Sequence, residues 1–226
     1  MKRFFLAALI SLVLAGCTGT PRSLRGMPLK PEANPSQVIA AELAFARLAQ
    51  EKGQWAAFRA TAADGAEMFV PQRVKAADWL KGRSEPANAV QWKPHVVWSS
   101  CDGSYAVTRG AWQSPNAGGM FATIWQRQKN GEHKWVADMS LTSDGAVAAP
   151  EMIAARVAEC KVPPARPPLF AVASVDLKTG AADDGTLRWA TAVSPAGSRS
   201  VQVWLWNGTS FESVLDQSVP APVETR

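Results

Sequence analysis

Between Val90 and Leu141 apolar residues fall on every second position, and turn dipeptides interrupt them at intervals too short for a helix. Val90, Trp92, Val96 and Trp98 alternate with Gln91, Lys93, His95 and Ser99. Asp102-Gly103 turns the chain and Tyr105 to Gln113 returns. A looser Pro115-to-Gly119 turn leads to Phe121 through Gln128, and Asn130-Gly131 leads to Lys134 through Leu141. Period two puts alternate side chains on opposite faces of a strand. Asp-Gly and Asn-Gly supply the positive φ of a tight hairpin. The stretch therefore predicts a four-strand antiparallel meander.

The residues before it follow helical spacing. Ser36 is a good N-cap, and Val38, Ala41, Phe45, Leu48 and Ala49 recur at three and four residues, with Glu42 at the margin of the stripe. Gly53 ends that run. Gln54 to Thr61 predicts a second helix burying Trp55 and Phe58. Asp64-Gly65 reads as a turn, Glu67 to Val70 as a strand stopped by Pro71, and Lys75 to Lys81 as a third helix with Trp79 and Leu80 inward. Helices followed by a meander give an α+β fold.

After the meander, Glu151 to Cys160 reads as one more helix, ended by the proline-rich stretch from Val162 to Pro168. Strand patterning resumes at Thr186 to Val193, and Val201 to Trp206 and Ser210 to Val219 flank an Asn207-Gly208 turn. A β-rich segment of this size is marginal alone. It is expected to pack on the main sheet or extend it.

The first residues carry a different message. Lys2 and Arg3 precede an uncharged apolar run, Phe4 to Leu14, which falls short of the roughly 20 residues a spanning helix needs. Leu14-Ala15-Gly16-Cys17 resembles the lipobox of bacterial lipoprotein precursors. The resemblance implies cleavage before Cys17 and acylation of its sulfur and new amine. Two or three acyl chains, at about 0.8 kcal/mol per buried methylene, hold a membrane far better than one. Thr18 follows in place of the aspartate that resembles an inner-membrane retention signal, so the expected address is the outer membrane, facing the periplasm.

The expected organisation is a signal peptide over 1–16, a lipidated tether over 17–35 and an α+β domain over 36–145. A helix and proline-rich connector over 146–168 leads to a β-rich extension over 169–226. The tether's reach is roughly 25 Å if flexible. The formal charge of +5 falls to about +3 once Lys2 and Arg3 are removed. With no dense basic run among aromatics, nucleic acid is not an expected partner. Of three cysteines, two remain after lipidation of Cys17. In an oxidising compartment Cys101 and Cys160 are candidates for a disulfide; the alternative is two separate buried thiols.

The order and spacing of Ala41 to Ala46, Thr61 to Pro71, Phe121 to Gln128 and Lys134-Trp135 resemble the nuclear transport factor 2-like superfamily. Its SnoaL-like and ketosteroid-isomerase-like members are the nearest in pattern, over roughly residues 36 to 145. The resemblance implies helices packed on a bent, cone-like sheet whose open end holds a small apolar ligand, often in a homodimer. The lining candidates are Trp92, His95, Tyr105, Arg109, Trp125 and Asp138. Isomerase-like members carry a carboxylate base before the proline matching Pro71 and a tyrosine on the first helix. Here those places hold Val70 and Phe45-Ala46, which can neither take a proton nor stabilise an oxyanion. That mechanism does not carry over.

No His-rich or His-Cys spacing suggests a metal, and no phosphate loop, dinucleotide glycine pattern or G-x-S-x-G elbow suggests a cofactor or a serine nucleophile. Three readings stand. The first is a non-catalytic or ligand-binding domain held to the envelope by lipid. The second is a small-molecule lyase, isomerase or hydrolase using His95, Tyr105 and Asp138. The third is an interaction module working through its sheet face and β-rich tail.

Overall fold

The computed structural model describes residues 32–142, 150–164 and 176–222. The leader, Cys17 and the tether up to residue 31 lie outside those residues. From Glu32 onward the described residues belong to one compact unit.

Among the described residues three helices, α1 (Pro35–Lys52), α2 (Gln54–Thr61) and α3 (Ala76–Leu80), accompany two sheets. The first sheet contains β1 (Ala62–Phe69), β2 (Arg73–Lys75), β3 (Gln91–Ser99), β4 (Tyr105–Ser114), β5 (Ala117–Arg127), β6 (His133–Thr142) and β7 (Ala154–Val157). Its order is β2-β1-β6-β5-β4-β3-β7. The expected meander, β3 to β6, is antiparallel throughout. Parallel strands flank it, β1 on β6 and β7 on β3. The second sheet, in the order β11-β10-β9-β8, comprises β8 (Asp176–Ala181), β9 (Leu187–Val193), β10 (Arg199–Trp206) and β11 (Phe211–Val219). The fold class is α+β, with extra C-terminal strands.

Several local expectations need correction. Helix α1 starts at Pro35, a residue suited to the first turn because it lacks an N–H, so Asn34 rather than Ser36 is the N-cap. Asp64-Gly65 is not a turn ahead of a strand. It sits inside β1, where the register against β6 shifts between Ala62 and Glu67. The helix expected from Glu151 to Cys160 is instead β7. Its spacing fitted a helix, but pairing with the open edge of β3 satisfies its backbone, and its four side chains stay exposed.

The sheet's two faces bury different cores. On one face Phe45 and Val38 of α1, Phe58 of α2 and Leu80 of α3 pack with Val97, Trp125 and Trp135. On the other, Trp98, Val107, Ile124 and Met139 pack against Leu187, Trp189, Val203 and Leu205 of the second sheet. The C-terminal strands therefore cover the main sheet as a separate layer rather than extending it. At one edge Arg73 bonds Glu67 (3.1 Å), Asp176 (2.9 Å) and Thr191 Oγ1 (2.8 Å), and Lys178 also reaches Glu67 (2.9 Å). At another, Cys101 and Cys160 form a disulfide with Cα atoms 5.3 Å apart.

Two bulges decide which residues share a face. In β3, Pro94 pairs Gly110 and Val96 pairs Arg109, leaving His95 as the extra residue. Trp92 before it packs with the helices, as does Val97, whereas Trp98 and Val96 join the opposite core. Trp92 and Trp98 are thus on opposite faces, contrary to simple alternation. In β6 the shift between Trp135 and Ala137 does the same. It turns Trp135 and Asp138 toward the helices while Ala137 and Met139 face away.

Candidate functional site

Where α1, α2 and the helix face of β3 to β6 meet, a cavity of about 150 Å³ remains. Phe45, Gln54, Phe58, Val90, Trp92, Trp112, Phe121, Asp138 and Ser140 line it. Each arrives by local rules. Phe45 and Phe58 project from the apolar stripes of their helices. Trp112 and Phe121 share the face that Thr108 and Thr123 occupy further along β4 and β5. Val90 is fixed by the helices, donating its N–H to Gln54 Oε1 (3.0 Å) and accepting from Gln50 Nε2 (2.9 Å). Gly110 is required between Pro94 and Phe121, because a Cβ there would collide with the Lys93 carbonyl oxygen and the Phe121 ring.

A buried acid stands behind the aromatic wall. Glu42 is fully buried in the stripe that also holds Val38, Phe45 and Ala49. Its Oε1 accepts from Trp92 Nε1 (2.8 Å), and its Oε2 accepts from Thr108 Oγ1 (2.5 Å) and Trp125 Nε1 (3.1 Å). Trp125 Nε1 also reaches Thr108 Oγ1 at 3.0 Å. Burial pushes the Glu42 carboxyl up to about 7. The Thr108 and Trp92 bonds resist that shift, the charge of Asp138 adds to it, and the Trp125 bond opposes it.

Asp138 is the second acid. It lies on β6 opposite Thr123, whose hydroxyl donates to Oδ2 at 2.8 Å. Desolvation raises its carboxyl to about 6, with the Thr123 bond pulling the other way. The side chain is part-buried because it faces the cavity. Two acids with raised pKa values, one on the cavity wall and one a layer deeper, are suited to holding a proton near neutral pH.

Of the six lining candidates, Trp92 and Asp138 line the cavity, and Trp125 supports it through Glu42. Tyr105, Arg109 and His95 do not line it. Tyr105 packs against the core under the second sheet, and burial followed by the charge of Asp183 raises its pKa. Arg109 donates to Gln217 of β11 at 3.0 Å. His95 occupies the β3 bulge, where burial and the nearby Arg109 and Lys93 charges lower its pKa. A His95, Tyr105 and Asp138 set is therefore not assembled. Val70, at the isomerase-like base position, is exposed and absent from the lining, whereas Phe45 is part of the wall. Among the described residues no group of three His, Cys, Asp or Glu side chains could hold a metal ion.

Glu42, Phe58, Trp112, Phe121 and Ser140 are not among the lining candidates that the sequence offers. One signal was available for Glu42, an acid spaced four and three residues from Val38 and Phe45.

The chain matches no family model and no curated protein. Among solved structures it is similar to a putative ketosteroid isomerase from Kribbella flavida DSM 17836, at 17% identity and a TM-score of 0.35. That match covers 51% of this chain and 86% of the other. It is also similar to an M. tuberculosis LEH-like epoxide hydrolase, at 18% identity and a TM-score of 0.30, covering 46% and 79%. At these values the likeness carries no argument about chemistry.

Proposed function

We propose that this chain is a lipid-anchored envelope protein whose nuclear transport factor 2-like cone binds a small, largely apolar molecule, with Asp138 as its polar anchor. The observation that carries the binding reading is the aromatic cavity with a single carboxylate in its wall. Apolar lining with one fixed polar group is the usual construction of a small-molecule site. A non-binding fold would be expected to fill that space. The anchoring reading rests on Leu14 to Cys17, and an acylated Cys17 in the outer membrane would hold the cavity in the periplasm.

The binding reading is tested with the full chain and benzyl alcohol as the probe. Saturating binding that raises the melting temperature, abolished by a cavity-filling Val90→Trp substitution, supports it. No saturation with the parent chain contradicts it. Anchoring is tested by growing cells with labelled palmitate. The label should enter the parent chain and not Cys17→Ser, and equal labelling of both removes the proposal.

A second reading has its own observation. Asp138, raised to about 6 at an apolar cavity, has the proton affinity of a general base or acid. On this reading Asp138 exchanges a proton with a bound substrate, its proton affinity set by burial and by the Thr123 hydroxyl. The outer face of the sheet is covered by the second sheet, which removes the surface that an interaction module would need there.

A further inference from the structure

The cavity lining carries fixed charge of one sign only. Of the residues lining the cavity, none is Lys, Arg or His, and Phe45, Phe58, Trp92, Trp112 and Phe121 are aromatic. Both indole N–H groups are already used within the protein. Trp92 donates to Glu42 (2.8 Å) and Trp112 to the Met120 carbonyl oxygen (3.0 Å). These rings therefore offer a guest π surface rather than hydrogen-bond donors, and the face of an aromatic ring is its negative part.

Asp138 adds a carboxylate to the same wall. Thr123 engages its Oδ2, and among the described residues no hydrogen bond reaches Oδ1. Glu42 stands behind, with its own three donors and no basic partner. An anion entering here would meet two acids and no fixed cation. A neutral guest would gain apolar burial and a hydrogen bond to Asp138, Gln54 or Ser140, but no ion pair. A cation would gain burial, the ring faces and an ion pair in partly desolvated surroundings, where the pair is screened less than in water.

We infer that the cavity takes a compact organic cation, an ammonium group on a small apolar body, with its charge against Asp138 and its body between the aromatic walls. This rests on the reading of the cavity as a binding site. Its size limits the guest to about one substituted ring, since an apolar cavity near 150 Å³ is of the size that holds benzene.

Three probes of similar shape and different charge test the inference: benzylammonium, benzyl alcohol and benzoate, each titrated calorimetrically into the full chain at pH 7. The expected order is benzylammonium at least about tenfold tighter than benzyl alcohol, with benzoate failing to saturate. Asp138→Asn should remove most of the cation's advantage while changing the alcohol's affinity less than about twofold. Trp112→Leu should weaken the cation more than the alcohol. Equal affinity for ammonium and alcohol overturns the cation inference and leaves the binding site standing. Binding of none of the three by the folded parent chain overturns both.

Discussion

The two faces of the seven-stranded sheet are built from alternate residues of the same strands, yet they differ in kind. The face under the C-terminal strands is closed by apolar side chains such as Val107, Ile124, Leu187 and Val203. The face under the helices interrupts its apolar core with Glu42, Thr108, Thr123 and Asp138, and leaves a cavity beside them. Burying acids without basic partners costs stability, whereas apolar packing gains it, here less the cost of Trp189 Nε1, buried without a hydrogen-bond partner among the described residues. The C-terminal sheet stabilises a fold whose other face carries the proposed site.

The largest effect expected is loss of the disulfide that ties the turn after β3 to the chain just after β7. Replacing Cys101 and Cys160 with alanine opens a loop closed over 59 residues. The chain-entropy model gives a loss of about 4 kcal/mol, read as a lower urea midpoint. Next, Leu187→Ala on the covered face should cost about 3 kcal/mol by leaving a void, with probe affinity unchanged in the fraction that remains folded.

The acids of the helix face give a pH signature of opposite sense to ordinary salt-bridged carboxylates. Glu42 holds its proton more tightly folded, near 7, than unfolded, at 4.5. Its contribution is therefore complete below pH 4.5 and is lost as pH rises through about 7, on the order of 3 kcal/mol in all. Glu42→Gln should flatten that decline in urea melts taken from pH 4.5 to 8; an unchanged slope would remove Glu42 as its source. Smallest of all, Tyr105→Phe should shift stability by no more than about 0.5 kcal/mol and leave probe binding untouched. A loss of binding would mean that the covered face takes part in the site.

The meander and the first two helices were legible because Asp102-Gly103, Asn130-Gly131 and Gly53 each mark a backbone conformation that other residues resist. The Cys101–Cys160 disulfide was legible from the even pair left when Cys17 is set aside and from the expectation of an oxidising compartment. Strand β7 was not legible, since an Ala-Ala-Arg-Val segment fits helix and strand alike and only the free edge of β3 decides between them. The site was half legible for a related reason. Alternation assigns faces only while the register holds, and the bulge at His95 reverses it between Trp92 and Trp98. Glu42 was placed at the edge of a stripe because hydropathy ranks it as a surface residue. The Thr108 hydroxyl and the indoles of Trp92 and Trp125, brought from distant strands, make its burial tolerable.

The central claim, that the helix face holds proton-retaining acids at an open apolar cavity, meets its most direct test in carbon NMR of the labelled side-chain carboxyls. The account predicts that Asp138 titrates near 6 and Glu42 near 7, and that benzylammonium shifts the Asp138 signal. Midpoints near 4 for both, with no response to the probe, would contradict it.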